Sequence, residues 1–296
     1  MRRRFILCAT AVAATTTVRV ATPDALTAAL AAGAARVEVL GAVHLTAPLT
    51  LSAPVELVGA DAAAALLLDA RVGASAVTVR GARGGVALRG LRVGLVGAPA
   101  GAAAAALPPA LAVLASSGVA LDRLVVEGGL RVAGSARVDV GWSDVSNAAG
   151  AAGGTCVYVT GCGNSSTLER CDVVVHDNNV HDCRWPGGNA SVYGAAAQGI
   201  LVGAADGDAA GAAVNDGCTV GVVVRNNNVA GVDQMAIRVM NDLNCASVLN
   251  QIVFNDVRDW GQLSRANGGD TTDSGCLYVS ARAPRYAHPL RPLQRP

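Results

Sequence analysis

A short pattern of residues recurs along this chain and constrains its fold more than any other feature. Each copy has two apolar residues at alternate positions, an Asn three residues after the second, and an apolar residue two further on. Copies centred on Asn178 and Asn227 are complete, and the copy centred on Asn255 has Asn250 in place of its first apolar residue. Earlier copies keep the spacing and replace the Asn with Leu91, Leu124 and Ser143. A repeat of one strand and one turn predicts a solenoid, whose units bury their apolar faces only by stacking.

A second series of short, Val-rich strands lies between the copies of the first. Its members are Val157 with Val159, Ile200 with Val202, Ile237 with Val239, and Leu277 with Val279. Two or three strands per coil, each pairing with its equivalent about 4.8 Å away, form a parallel β-helix. Stacked Asn side chains can bond to one another and to the turn backbone, which satisfies a buried polar column. The sequence therefore predicts an all-β solenoid whose turn column is apolar in its first half and made of amides in its second.

The repeat over residues 20–280 resembles that of right-handed parallel β-helix proteins of the pectate-lyase-like superfamily. The start of this region agrees with the resemblance. Thr22 is placed as the N-cap of a short helix, Pro23 at its first position, Asp24 in its first turn and Gly33 as its stop. Such a helix would cover the open N-terminal end of the solenoid, whose first coil would otherwise be an exposed edge.

The two ends of the chain differ from the repeat region. Residues 1–14 combine a basic segment, an apolar stretch and a small-residue site, which is the layout of a secretory signal peptide. One domain, residues 20–280, is predicted between this segment and a Pro- and Arg-rich tail at 281–296. The tail is interpreted either as disordered chain or as the product of a mis-assigned gene end. We expect a secreted, extracellular protein.

Cysteines and glycosylation sequons favour the same compartment. Apart from Cys8 in the signal segment, the cysteines all lie in the second half: Cys156, Cys162, Cys171, Cys183, Cys218, Cys245 and Cys276. Their spacings match neither a zinc ribbon nor a redox C-x-x-C motif, so disulfides that staple loops to coils are favoured over metal ligation. Asn164 and Asn189 begin N-x-S sequons in polar segments, which predicts a glycoprotein.

Charge and composition exclude several classes of partner. All basic residues are Arg and the net charge is +1, which leaves no electrostatic case for nucleic acid or an anionic membrane. The uncharged run at 93–121 is long enough to cross a membrane, but Pro99, Pro108 and Pro109 indicate a loop between coils instead. We expect no membrane span and a monomer.

In the second series of strands, the residue between each pair of inward positions points outward. Tyr158, Leu201, Arg238 and Tyr278 should therefore stack in one column on the exterior. Tyr offers a stacking face and a donor, and Arg can bind a uronate carboxylate through two hydrogen bonds. Tyr158, Arg238 and Tyr278 are thus predicted contacts for a polysaccharide, and the alternative is an ordinary solvated face.

The segment G-G-D-T-T-D-S-G-C-L-Y-V, residues 268–279, resembles a D-x-G-x-[IL]-Y segment of β-helix repeat proteins that include glycoside hydrolases. Asp273 stands at its acidic position, and the resemblance implies that this carboxylate acts as general acid or base. Asp270 or Asp242 would supply the second carboxylate that glycoside hydrolysis needs. Two other readings stay open: Asp273 caps the turn before the strand, or it ligates a metal.

Three further candidates carry weaker signals. Two imidazoles have adjacent carboxylates, His176 with Asp177 and His181 with Asp182. For both, a solvated turn is favoured over a metal site or an acid–base pair. The D-G-D loop at 206–208, with Asn215 and Asp216, could collect oxygen ligands for Ca²⁺, the one cofactor considered. Packing at coil junctions is favoured over a role as sugar platforms for the tryptophans, Trp142, Trp185 and Trp260.

Departures from enzymes of the resembled superfamily narrow the chemistry. The N-T-D, D-D, G-H-G and R-x-K set of polygalacturonase-like β-helices is absent, and the R-x-P-x-x-R motif of pectate lyases fails after Arg282. No Lys is present to act as a lyase base. The sequence predicts a secreted β-helix protein that acts on or binds polysaccharide, with glycosidic-bond hydrolysis favoured if it is an enzyme. The alternative is a non-catalytic extracellular module that binds a glycan or a protein.

Overall fold

A computed structural model describes residues 17–98, 107–149, 154–163, 167–184, 197–203, 219–240 and 249–260, together with the backbone of 277–280. Within these ranges the chain forms one short α-helix, one turn of 3₁₀-helix at Ala70–Val72, and 25 strands. The strands fall into three sheets, of nine, eight and eight strands, and each coil adds one strand to each sheet.

Sheet A starts at the N-terminus. Its strands are β1 (Thr17–Val20), β2 (Arg36–Val39), β5 (Val55–Gly59), β8 (Arg83–Arg89), β11 (Ser117–Asp122), β14 (Ala136–Gly141), β17 (Val174–His176), β20 (Val223–Arg225) and β23 (Gln251–Val253). Sheet B consists of β3 (Ala42–Leu45), β6 (Ala65–Asp69), β9 (Arg92–Val96), β12 (Val125–Glu127), β15 (Asp144–Asn147), β18 (Asn179–Cys183), β21 (Asn228–Val232) and β24 (Asp256–Val257). Sheet C consists of β4 (Leu49–Leu51), β7 (Val77–Arg80), β10 (Leu111–Leu114), β13 (Leu130–Ala133), β16 (Val157–Thr160), β19 (Ile200–Val202), β22 (Ile237–Met240) and β25 (Leu277–Ser280).

Strand pairing throughout the described ranges is parallel, and each strand lies beside its equivalent in the next coil. Connections between parallel strands wind right-handed, because a right-twisted strand packs back onto its sheet only that way. The predicted fold is confirmed: the protein is a right-handed parallel β-helix with an N-terminal helix.

The interior of the solenoid is made by the alternating apolar positions of the repeat. In sheet A, Val119 and Leu121 of β11 lie beside Val138 and Val140 of β14, and all four are buried. Successive side chains of a strand point to opposite faces, so each coil places the same two positions inside. Full burial of a Val or Leu side chain contributes about 1.5–3 kcal/mol, and the stack repeats this in every coil.

The helix α1 (Pro23–Ala31) covers the first coil, as the sequence predicted. Thr22 has an extended backbone and its hydroxyl accepts a hydrogen bond of 3.2 Å from the N–H of Ala25. Leu26 is fully buried within the core of the first coils. Gly33 follows with a φ of 74°, a left-handed conformation that ends helices readily at glycine. The helix therefore shields apolar side chains that the open end would expose.

The predicted column of amides is present at the corner between sheets A and B. The backbone N–H of Ser143 donates to Oδ1 of Asn178 at 2.9 Å. The side-chain amide of Asn178 donates to Oδ1 of Asn227 at 2.9 Å, and that of Asn227 donates to Oδ1 of Asn255 at 2.9 Å. Each amide also donates to a strand carbonyl, as Asn178 does to Val140 at 3.0 Å. The buried polar column therefore satisfies itself, and in earlier coils Leu91 and Leu124 fill it.

Two disulfides confirm the predicted use of four cysteines. Cys156 pairs with Cys183, which ties the start of β16 to the end of β18 in the next coil. Cys162 pairs with Cys171 across the corner between sheets C and A. The remaining cysteines of the second half, Cys218, Cys245 and Cys276, lie outside the described residues.

The uncharged run at 93–121 is only partly the loop that was predicted. Strand β10 and much of β11 lie inside it, because Leu111 and Val113 continue the inward alternation of sheet C. Among the described residues, no helix has the length and apolarity that a membrane crossing requires.

Candidate functional site

The predicted outward column of sheet C exists as a line of residues in register. Arg131 of β13 pairs with Tyr158 of β16, Tyr158 with Leu201, Leu201 with Arg238, and Arg238 with Tyr278 of β25. Strands in register are about 4.8 Å apart, so the column runs along the solenoid axis. The register therefore brings the three predicted substrate contacts onto one line.

Arg131 belongs to this column and was not identified from the sequence. Its guanidinium carbon lies 5.1 Å from the centroid of the Tyr158 ring, within the range of a cation–π interaction. Both side chains are half-buried. The signal was available, since Leu130 and Val132 show the same inward alternation as the later copies. An Arg–Tyr pair like the predicted pair of Arg238 and Tyr278 therefore also occurs three coils earlier on this face.

Exposure along the column differs from the prediction in its later part. Leu201 and Arg238 have 2% and 7% of their surface exposed, so they do not face open solvent. The prediction of a fully exterior column is wrong for these two residues. For Leu201, burial of an apolar side chain is favourable in itself. The accessible part of the column is therefore centred on Arg131 and Tyr158.

The predicted carboxylates Asp242, Asp270 and Asp273 lie outside the described residues, so their catalytic roles stay predictions. The same holds for the proposed Ca²⁺ loop at 206–208 with Asn215 and Asp216, for Trp185, and for both sequons. In the described part of the chain, no group of three or more His, Cys, Asp or Glu side chains is arranged to hold a metal ion.

His176 lies at the end of β17 between two carboxylates. Its Nε2 is 2.9 Å from Oδ1 of Asp139, and its Nδ1 is 2.7 Å from Oδ2 of Asp177. The ring lies over Gly141, where an added Cβ would come within 2.6 Å of the imidazole Cε1. Carboxylates only accept hydrogen bonds, so both contacts are satisfied when both ring nitrogens carry protons. The hydrogen bond from His176 holds the pKa of Asp177 below its ordinary value.

His181 repeats this arrangement on sheet B. Its Nε2 is 2.8 Å from Oδ1 of Asp144, and its Nδ1 is 2.8 Å from Oδ2 of Asp182. Burial lowers the pKa of His181, but the hydrogen bonds to Asp182 and Asp144 outweigh it, so the pKa lies above its ordinary value. The hydrogen bond from His181 likewise lowers the pKa of Asp182. The two histidines thus lie on different sheets, and each is held by its own pair of carboxylates.

The two described tryptophans behave differently. Trp260 packs against the core, as predicted. Trp142 has 64% of its surface exposed, so the packing role predicted for it is wrong. Its ring meets that of His176 edge-on, with centroids 6.5 Å apart and an interplanar angle of 88°. Trp142 follows Gly141 at the corner, where the backbone is left-handed and directs the side chain outward.

The outer face of sheet A in the first coils carries a ladder of opposite charges. Arg36 contacts Glu56 at 2.5 Å, and Arg89 contacts Glu56 at 3.1 Å and Asp122 at 3.0 Å. A groove of about 470 Å³ runs past these side chains. Because each of these arginines is paired with a carboxylate, the ladder supports the stacking of coils and offers no net charge to a ligand. Partly exposed pairs of this kind contribute about 0–1 kcal/mol each.

No protein-family model matches the chain, and no curated protein matches it in sequence. The structure is similar to a crystal structure of alginate lyase from Paenibacillus sp. str. FPU-7, at 13% sequence identity and a TM-score of 0.45. That alignment covers 90% of this chain and 99% of the lyase. It is also similar to the Dettilon tailspike protein, at 12% identity and a TM-score of 0.37, over 87% of this chain and 64% of the tailspike.

Proposed function

We propose that this protein is secreted and acts on a polysaccharide, which it binds along the outer face of sheet C and hydrolyses at a glycosidic bond. The observation that carries the proposal is the stacking of Arg131 over Tyr158 at 5.1 Å, on an outward column that continues in register to Arg238 and Tyr278. A line of aromatic and guanidinium groups along one axis suits an extended polymer better than a compact ligand.

Four members of the column have a part in binding. Tyr158 supplies a ring face for a sugar and a hydroxyl that can donate a hydrogen bond. Arg131 and Arg238 supply paired donors for hydroxyl or carboxylate oxygens of the polymer. Tyr278 would extend the same contacts by one coil. Arg131 and Tyr158 are the members that a polymer would contact first, because both are partly exposed whereas Arg238 is buried.

Hydrolysis would use Asp273 as general acid or base, with Asp270 or Asp242 as its partner. Two carboxylates are needed, separated by about 5–10 Å according to the stereochemical course. In the sequence, Asp242 follows the end of β22, whereas Asp270 and Asp273 precede the start of β25. Because β22 and β25 are parallel, the end of β22 and the start of β25 lie on opposite sides of sheet C, along the direction of its strands. This favours Asp270 over Asp242 as the partner of Asp273.

Secretion is supported by the two disulfides. Disulfides persist in oxidising compartments and are rare in the cytosol. Both lie in the coils that carry Tyr158, so they also hold this part of sheet C in place.

The test is a panel of neutral and uronate polysaccharides assayed for new reducing ends, with wild type, Asp273→Asn and Asp270→Asn. We expect product from wild type and a loss of at least a hundredfold in both variants, consistent with removal of a general acid or base. Asp24→Asn is the matched control, since Asp24 is an exposed carboxylate on α1. Equal product from wild type and Asp273→Asn would remove Asp273 from catalysis. Binding without product from any polymer would assign the protein to the non-catalytic class.

A further inference from the structure

From β8 onward, the corner between sheets A and B holds one residue per coil in the left-handed backbone region. We call this column the A–B ledge. Its members are Gly90, Arg123, Trp142, Asp177, Asn226 and Phe254, with φ values of 58°, 53°, 54°, 54°, 55° and 56°. The backbone N–H of each member from Gly90 to Asn226 donates to a carbonyl of the next coil, as Trp142 does to His176 at 3.3 Å and Asp177 does to Arg225 at 3.2 Å. The winding of the coil therefore imposes this conformation whatever residue stands there.

Three members of the ledge, Arg123, Trp142 and Phe254, are poorly suited to that conformation. Gly, Asn and Asp adopt left-handed backbone readily, and Gly90, Asp177 and Asn226 follow this preference. Trp142 and Phe254 carry large rings instead, at a conformational cost, and are 64% and 87% exposed. Little burial compensates that cost. An unfavourable backbone position occupied by an exposed aromatic side chain is grounds for a functional hypothesis.

Hydrogen-bonding groups lie between and beside the two rings. Asp177 and Asn226 occupy the two coils that separate Trp142 from Phe254. Asp139 is 62% exposed and is held in place by His176, the ring against which Trp142 rests. The ledge therefore presents an aromatic face, a carboxylate, an amide and a second aromatic face in order along the axis. With coils about 4.8 Å apart, the two rings are roughly 14 Å from each other.

The carboxylates around the ledge each have a partner within the protein. The imidazole of His176 bonds to both Asp139 and Asp177, and Arg123 pairs with Asp122 at 3.0 Å. Arg225 lies 3.9 Å from Asp177. The surface thus offers carboxylate and amide groups that can bond to the hydroxyl groups of a sugar chain. Ring faces spaced along an axis, with hydrogen-bonding groups between them, match a neutral sugar chain.

We propose that the A–B ledge is a second carbohydrate-binding site, which takes a neutral polysaccharide lying along the solenoid axis with sugar rings on Trp142 and Phe254. The ledge lies at the corner between sheets A and B, away from the outer face of sheet C. It has only the class of ligand in common with the proposed function. Asp139 and Asn226 bond to hydroxyl groups of the sugars between the two platforms. His176 positions Asp139 and supports the edge of Trp142.

The test measures retention of a soluble mixed-linkage β-glucan, xylan and galactomannan, with polygalacturonate as the charged comparison. We expect wild type to bind a neutral polymer, Trp142→Ala and Phe254→Ala each to weaken it about tenfold, and the double variant to lose it. Leu249→Ala is the matched control, because Leu249 is also left-handed, with a φ of 58°, and 49% exposed at another corner. It should bind like wild type.

Trp142→Asn separates binding from folding. Asn suits left-handed backbone better than Trp, so thermal stability should be unchanged or higher while binding falls as in Trp142→Ala. Unchanged retention by the double variant overturns the proposed ledge site and leaves the function at sheet C standing. A dimer that the double variant converts to monomer, with unchanged glycan binding, would make the ledge a contact between copies of the chain instead. Failure of wild type to bind any polymer would overturn the ledge site and the proposed function together.

Discussion

Oδ1 of Asn227 accepts two hydrogen bonds from Asn178, one from its backbone N–H at 3.1 Å and one from its side-chain amide at 2.9 Å. Asn227 in turn donates through its own amide to the carbonyls of Val175 and Arg225, both at 3.0 Å. One side chain therefore bonds two coils at a corner where the backbone cannot satisfy itself. The amide column is the polar counterpart of the Val and Leu stack inside.

Replacement of Asn227 should unfold the second half of the solenoid more easily. Asn227→Ala removes the acceptor of the backbone N–H of Asn178 and the amide donor to the carbonyl of Val175 in a buried corner, at a cost of about 1–3 kcal/mol for each buried group. We expect a total loss of about 3 kcal/mol or more in the free energy of unfolding, measured by urea denaturation. Asn228→Ala is the control, since Asn228 is half-buried and bonds at the surface to Asn179. A loss no larger than that of the control would contradict the role given to the column.

Stability should depend on pH through His181. Its pKa is raised in the folded protein, so its contribution is fully present below the ordinary value near 6.5 and is lost as the pH rises through the folded pKa. Thermal unfolding at pH 5.5 and pH 8.5 measures this. We expect the fall in Tm between these conditions to be smaller in His181→Gln than in wild type. His44→Gln, which alters an exposed histidine of sheet B, should keep the wild-type difference.

Asp177 and Asp182 should make stability depend on pH at the acid end of the range. The pKa of Asp177 and that of Asp182 are lowered by hydrogen bonds from His176 and His181. Their contribution is present above the ordinary value of 3.8 and is lost as the pH falls through the lower folded pKa. The stability of Asp182→Asn should therefore fall less steeply than that of wild type as the pH drops below 4. An identical acid limb in the two proteins would rule out this linkage.

The repeat allowed the fold to be predicted because it is periodic. Val173, Val175 and Asn178 recur at matching places in the next copy, and both the register and the polar column follow from that recurrence. Arg131 was not predicted, although Leu130 and Val132 on either side of it have the inward alternation of the later copies. Trp142 was predicted to pack because large aromatic rings usually gain by burial, and the left-handed corner that directs it outward cannot be read from one position.

The pairing of His176 with Asp139 could not be predicted from the sequence. The two residues are 37 positions apart, and their contact depends on the lengths of the segments that connect the coils. Those lengths vary from coil to coil, so the register of outward side chains is fixed only when the coils stack. The absence of a side chain at Gly141 is equally decisive, and the sequence gives no sign that an imidazole fills that space.

Addition of a methyl group at Gly141 should displace His176. In Gly141→Ala the new Cβ would lie 2.6 Å from Cε1 and 2.7 Å from Nε2 of the imidazole, closer than real contacts allow. We expect a loss of about 1–3 kcal/mol in unfolding free energy, which His176→Ala in the same chain should partly restore. Gly94→Ala is the control, because its Cβ would make contacts no closer than 3.4 Å. Additive effects of the two substitutions would contradict the close approach.

The two disulfides should differ in their effect on stability. Cys156 and Cys183 enclose 27 positions, whereas Cys162 and Cys171 enclose 9. In the chain-entropy account, the longer loop contributes about 1 kcal/mol more to the free energy of unfolding. Paired Cys→Ser variants compared by denaturation should show that order. Equal losses would indicate that the bonds act through the native state and not through the unfolded chain.

The central claim, that sheet C binds a polysaccharide through Tyr158, is tested most directly by the affinity of Tyr158→Ala for the polymer that wild type binds best. We expect a loss of about tenfold with unchanged thermal stability, and no change in Thr78→Ala, which alters the same column earlier in the sheet. Equal affinities of Tyr158→Ala and wild type for this polymer would contradict the account.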